Sequence, residues 1–309
     1  MSSTDSKSGA RFERVVIDGE RFVLKHVDRA DDWIMRQTGD IGCWPVLVWE
    51  SGVLDLVPPC IDHTLVGAAR TARGGGAVLM RDVSEWMVEP GDAPLPVEQH
   101  RRFLTHLATF HATTWGWRDD VGLAPVSNRY LFFLPQVLAC EAALGFPSEV
   151  PRIATAGWAL LPEVAPSMAT DLAPLLAAPW PLIDAVAATP SALLHGDWKL
   201  GNLGSTPDGR TVLVDWSVTG AGPPLAELAH YLALNSGRLP EGFDRDDVIA
   251  VYRDALEDAG VDTGPWWNRQ LALCLLGAML LLGWEKAYDE EGSERAWWAA
   301  KVREGIALL

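Results

Sequence analysis

The chain has 309 residues, 49% of them hydrophobic and 21% charged, a balance that suits a globular protein with one large core or two smaller ones. Its 41 acidic residues against 25 basic ones give a formal net charge of −16, which argues against non-specific binding to nucleic acid or to an anionic membrane and would suit a cationic partner. Only five lysines accompany twenty arginines, so the acidity also fits a general coding bias. Cys43, Cys60, Cys140 and Cys274 lack metal-ligand spacing and read as reduced, buried thiols of a cytoplasmic protein. The Ser-rich start has no signal-peptide core. The longest apolar stretch, Leu271 to Trp284, is too short to span a bilayer and reads as a buried helix.

In chain order, the pattern predicts two strands, Phe12 to Ile17 and Arg21 to His26, joined by the turn Asp18-Gly19-Glu20. A short helix is expected over Ala30 to Thr38. Gly74 to Gly76 read as a turn before the strand Ala77 to Met80, because no helix follows to make them a phosphate cradle. A proline-punctuated loop covers Glu85 to Pro96. Val97 to Thr114 has helical spacing, and its His106 and His111 lack a third metal ligand, so core or capping roles are expected. Further helices are predicted over Tyr130 to Leu144, Leu172 to Ala188, Pro224 to Ser236, Asp246 to Ala259, Trp266 to Tyr288 and Glu294 to Leu308.

The segment that carries chemistry is His195-Gly196-Asp197-Trp198-Lys199-Leu200-Gly201-Asn202, followed by the hairpin turn Pro207-Asp208-Gly209-Arg210 and a strand from Thr211 to Val214 that ends in Asp215. Phosphoryl transfer needs positioning and charge neutralisation more than covalent help. Asp197 would orient an attacking hydroxyl and accept its proton, and Lys199 would bring positive charge near the transferred group. Asn202 and Asp215, brought together across the hairpin, offer the oxygen ligands that Mg²⁺ takes.

Residues 193–235 resemble the aminoglycoside phosphotransferase and choline-kinase-like family. That pattern is His-Gly-Asp, four residues, Asn, a strand ending in Asp-Trp, then a Gly-Pro turn and an acidic residue opening a Leu-Ala helix, here Gly222-Pro223-Pro224-Leu225-Ala226-Glu227-Leu228-Ala229. The resemblance implies an α+β, two-lobed, protein-kinase-like fold, with a small β-rich nucleotide-binding lobe over residues 1–83 and a larger, mostly helical catalytic and substrate-binding lobe over residues 84–309. It implies that Lys25 contacts the α and β phosphates. A carboxylate partner for Lys25 is left open among Asp28, Asp31, Asp32 and Asp40. Arg81, Asp82 and Val83 would form a hinge whose backbone meets the adenine edge.

One departure stands out. The fold would ordinarily place a strand and a phosphate-covering loop before the pair that ends in the lysine, and only Met1 to Arg11 remain for it, so a shortened first lobe is expected. The implied activity is transfer of the γ-phosphoryl group from ATP, with GTP also acceptable, using Mg²⁺, to a hydroxyl of an aminoglycoside or a related amino-sugar or nucleoside antibiotic. A metabolic kinase for choline, a sugar or an amino alcohol, and a nucleotide-binding pseudoenzyme, are the alternatives. Trp266, Trp267, Trp284, Trp297 and Trp298, with Glu285, Asp289, Glu290, Glu291 and Glu294 nearby, form either an acceptor wall for a ring-bearing amine or core packing with an acidic face.

Overall fold

The Asp18-Gly19 pair sets the first element of the fold. In the computed structural model, which describes residues 7–72, 74–145, 148–289 and 292–309, both residues take positive φ, 51° and 86°. That geometry matches a tight two-residue turn to the twist of its strands. It joins β1 (Arg11–Ile17) to β2 (Glu20–Val27). Asp32 caps the next helix, α1 (Trp33–Thr38), by accepting from the amides of Ile34 and Met35, and Gly39 closes it in the left-handed conformation. There follow α2 (Trp44–Glu50), β3 (Ile61–Asp62), β4 (Leu65–Arg70) and β5 (Gly76–Arg81). The antiparallel sheet has the order β1-β2-β5-β4, with Lys25 in register with Phe12 and Val78.

Ser2 to Ser6 lie outside the described residues, whereas Lys7 and Ser8 accept hydrogen bonds through their carbonyls from the indole and amide of Trp33, at 2.6 and 3.0 Å. Residues 7–10 therefore run along the start of α1 rather than forming a further strand.

After β5 the chain crosses to the second lobe, where Met87 bridges Gly204 and the Val88 amide donates to Leu203. The helices α3 (Val97–Thr113), α4 (Val126–Leu131), α5 (Pro135–Ala143), α6 (Glu149–Val164), α7 (Pro166–Ala177) and α8 (Trp180–Ala187) precede the His195–Asn202 segment. Short strands follow: β6 (Ala192–Leu194), β7 (Leu203–Ser205), β8 (Thr211–Leu213) and β9 (Gly220–Gly222). Then come α9 (Leu225–Asn235), α10 (Arg245–Asp258), α11 (Trp267–Leu282) and α12 (Ser293–Ile306). α11 is the apolar stretch expected to be buried, and it packs beside α9 and α12. No helix among the described residues is long and apolar enough to cross a membrane.

Prolines redraw several helix boundaries. The single helix expected over Tyr130 to Leu144 is two, because Leu134 is extended before Pro135. The one expected over Leu172 to Ala188 starts earlier, at Pro166, and breaks at Ala178, whose backbone leaves the helical region before Pro179. α6, whose Pro151 and Pro162 obscure its period, escaped the sequence pattern. The helix expected to reach Tyr288 ends at Leu282, and a short tight turn spans Glu285–Tyr288. Cys43 and Cys274 are buried as expected, but Cys60 is half-buried and Cys140 exposed.

The lobes are joined in three further ways. β3 pairs in parallel with β8, Asn128 donates to the Thr38 carbonyl at 2.5 Å, and Arg36 on α1 forms a buried fork with Glu141 on α5, with contacts of 2.5 to 3.1 Å. Breaking such a buried pair from one side strands the other charge. Arg36→Met should therefore destabilise the protein by about 3–5 kcal/mol, measured by denaturant unfolding, whereas replacing both partners by apolar residues should recover much of the loss.

Candidate active site

The site begins with backbone amides that would otherwise be orphaned. Leaving β6, the chain turns at Gly196, whose φ is 93° and where an added Cβ would lie 2.1 Å from the Val218 carbonyl oxygen, so glycine is required. The amides of His195 and Gly196 both donate to Glu227, at 3.0 and 2.7 Å. Glu227 lies in the first turn of α9 and is fully buried. His111 Nε2 also meets its carboxylate at 3.0 Å, and His111 Nδ1 meets the Tyr252 hydroxyl at 2.7 Å. Burial opposes the charge on Glu227, but His111, with His195 and Arg129, outweighs it and holds the carboxyl down at about 2. His195 donates from Nε2 to the Val214 carbonyl and accepts the Asp197 amide at Nδ1, which assigns a neutral ring, in keeping with a pKa lowered by burial.

This frame presents Asp197 to a cavity between the lobes. Its Oδ2 accepts from Lys199 Nζ at 2.6 Å and from Asn202 Nδ2 at 2.8 Å, and its Oδ1 from His230 Nε2 at 2.9 Å. Because a carboxylate only accepts, Nε2 of His230 carries the proton. Burial works against the Asp197 charge, yet Lys199 and His230 reverse that effect and keep the carboxyl well below its usual range. Oδ2 is saturated by two donors, while Oδ1 keeps a lone pair for a fourth donor.

Asp215, with φ 66° just past β8, turns back toward Lys25. Its Oδ1 accepts from Lys25 Nζ at 2.6 Å and from Ser217 Oγ at 2.6 Å. Lys25 is thus buried, and its partner is Asp215; of the four aspartates considered, Asp32 is occupied in capping α1. Burial raises and Lys25 lowers the Asp215 carboxyl, with a net downward shift. Asn202 directs its amide nitrogen to Asp197, leaving its Oδ1 without a described partner, as is the Asp215 Oδ2. No cluster of three or more His, Cys, Asp or Glu among the described residues could hold a metal. Two protein oxygens completed by phosphates are nevertheless the donor set on which Mg²⁺ relies.

The cavity has a volume of about 620 Å³ and is bordered by Lys25, Asp197, Lys199, Asn202 and Asp215 together. Arg81, Asp82 and Val83 do not border it. The Arg81 side chain pairs with Asp62 and its amide with Thr64, the Asp82 amide donates to Arg21, and Val83 is buried. Of the five C-terminal tryptophans only Trp284 reaches the cavity; Trp267 and Trp298 are core residues. Glu290 and Glu291 lie outside the described residues.

Residues 8–260 match the model of the phosphotransferase enzyme family. The chain belongs to that family. Among solved structures, an aminoglycoside phosphotransferase from Streptomyces rimosus, in complex with ADP and streptomycin, superposes with a TM-score of 0.52 at 17% identity, covering 90% of this chain and 94% of that one. A choline kinase, LicA from Streptococcus pneumoniae, gives 0.51 at 12% identity over 97% and 90%. A microcompartment-associated aminopropanol kinase gives 0.50 at 16% over 98% and 92%. At these identities the likeness establishes the kinase-like α+β fold. No curated protein matches the sequence.

In this phosphotransferase, sequence reasoning overlooked His230. It stands three residues after Glu227 on α9, a spacing that puts both side chains on one helix face, so the signal was a Glu-x-x-His pair beside the motif. Ser217 and Arg129, which donates to the Gly196 carbonyl at 2.7 Å, had no signal of their own. His230→Leu should lower kcat about ten- to a hundredfold, the worth of a hydrogen bond to a charged group, and move the acidic limb of the pH profile upward. His230→Gln, which keeps a neutral donor, should recover most of the loss in the same assay. Glu227→Gln should destabilise the fold at neutral pH. The folded pKa is depressed, so the stability that the carboxylate supplies is complete above its unfolded value near 4.5 and is lost as pH falls toward about 2. Unfolding curves of the two proteins should therefore converge across that window.

Proposed function

We propose that this phosphotransferase moves the γ-phosphoryl group of ATP, with GTP as an acceptable second donor, to a hydroxyl of a small-molecule alcohol. The observation that carries the reading is the arrangement around Asp197: three donors fix its carboxylate at the cavity wall and one lone pair of Oδ1 stays open. An acceptor hydroxyl donating there has its oxygen aimed into the cavity. As that oxygen bonds to the γ-phosphorus, the bond to the β–γ bridging oxygen breaks and the nucleoside diphosphate leaves. The hydroxyl proton passes to Asp197. A carboxylate held this firmly ionised is a weak base, which suits a loose transition state in which proton transfer is late and orientation does most of the work.

Lys25 is suited to the donor's phosphate oxygens and Lys199 to the transferred group. Asn202 Oδ1 and the Asp215 carboxylate would hold Mg²⁺, which, when bound with nucleotide, supplies charge neutralisation across the phosphates. The ADP held by the Streptomyces rimosus enzyme supports a nucleotide donor. The hydroxyls of aminoglycosides, amino sugars, nucleoside antibiotics and amino alcohols all belong to the proposed acceptor class.

Incubation with ATP or GTP, Mg²⁺ and a pooled panel of such alcohols should yield one product heavier by a phosphoryl group in mass spectrometry. Asp197→Ala should lower its formation by roughly a hundredfold or more while nucleotide binding persists. Asp215→Ala should weaken Mg²⁺-dependent nucleotide binding in a titration. Turnover surviving in the first variant, or unchanged binding in the second, would refute the role concerned.

A further inference from the structure

The cavity has two chemically different ends. Around Lys25, Asn202 and Asp215 it is polar. The other end is closed by α1, the α4–α5 junction, α6 and the end of α11, and its lining includes Ile34, Phe132, Phe133, Val150, Leu281 and Trp284. Three of these rings form a continuous wall: Phe132 lies 4.4 Å from Phe133, and Phe133 lies 5.3 Å from Trp284, centroid to centroid. Trp33 extends it, 5.6 Å from Phe133.

Charge is sparse at this end. Apart from Lys7 on the N-terminal segment and the groups gathered around Asp197 and Asp215, the charged residues of the described lining are Arg129 and Glu285. The guanidinium of Arg129 is engaged by the carbonyls of Gly196 and Ala226, at 2.7 and 3.3 Å. Glu285 is different. Its side chain is 37% exposed, but its Oε2 is buried without a hydrogen-bond partner among the described residues, and Lys286 Nζ, 3.6 Å away, is engaged by Ala233 and Glu294. Burial raises the Glu285 carboxyl, and Lys286 and Lys199 pull against that rise. Its charge therefore lacks full compensation and gains from a cation brought by a ligand.

The geometry points to an acceptor that is a largely apolar, ring-bearing alcohol with a single amine, its ring against the Phe132–Phe133–Trp284 wall, its ammonium on Glu285 and its hydroxyl at Asp197. This rests on the kinase reading above and narrows it. A polycationic aminoglycoside would place several ammonium groups against hydrocarbon, where each desolvated charge without a partner is strongly unfavourable. One ammonium can be paired with Glu285 and a neighbouring aromatic face.

The test is calorimetric titration of the whole protein with 2-amino-1-phenylethanol, its uncharged analogue 1-phenylethane-1,2-diol, and kanamycin. The aryl amine should bind most tightly. Glu285→Gln should weaken the aryl amine about tenfold or more and leave the diol within twofold, whereas Phe132→Ala should weaken both aryl ligands together. Kanamycin binding more tightly than the aryl amine, no saturation by the aryl amine, or an equal effect of Glu285→Gln on amine and diol would each overturn the inference. Failure of phosphoryl transfer to every alcohol would instead sink the kinase reading, and the binding order would still be read independently.

Discussion

The site depends on one buried carboxylate. Glu227 takes the amides of His195 and Gly196 into its two oxygens and is itself held by His111. Those two amides belong to a turn that β6 cannot pair, and buried amides without acceptors are rarely tolerated. By satisfying them from the first turn of α9, Glu227 fastens the loop that carries Asp197 to a helix packed on α11. Position is thereby transmitted from the core of the second lobe to Asp197. The same helix delivers His230 one turn later, so the clamp below the loop and the donor beside Asp197 move as one body.

Around Asp197, charge is arranged so that orientation comes before basicity. Lys199, Asn202 and His230 each donate to it, and a carboxylate so solvated by fixed donors needs no water to remain ionised. His230 does this without adding a full charge, since burial keeps the imidazole neutral. The cavity can thus hold a second ammonium, from Lys25, without excess positive charge, because Asp215 lies opposite.

Much of this could be read from the chain. The Asp-Gly turn of the first hairpin, the strand carrying Lys25 and the spacing from Asp197 to Asn202 to Asp215 are local signals, set by turn chemistry and short-range order. What escaped was tertiary. His230 meets Asp197 across 33 positions and Lys25 meets Asp215 across 190, and neither pairing leaves a periodic trace. Arg81, Asp82 and Val83, expected as a hinge, are not in the lining of the cavity, and the Arg81 side chain is engaged by Asp62. The short β3 strand, two residues joined to β8 of the other lobe, is below the length at which alternation can be recognised. Several helices were misjudged where proline interrupts the pattern, whereas the one expected to reach Tyr288 stops at Leu282 with no proline there.

The pairing of Lys25 with Asp215 has a consequence for the order of events. Each residue is already neutralised by the other through Asp215 Oδ1, while Oδ2 has no partner among the described residues; on the proposed reading Lys25 would hold the donor's phosphates and Asp215 would hold Mg²⁺, so the charges that arrive would match the pair already there. A cation arriving alone would add positive charge beside Lys25, and a metal-free nucleotide would set phosphate beside Asp215, so either one alone would leave a local charge unmatched. On that reading the ion pair would suit the metal–nucleotide complex, which brings both charges at once, better than either partner arriving alone.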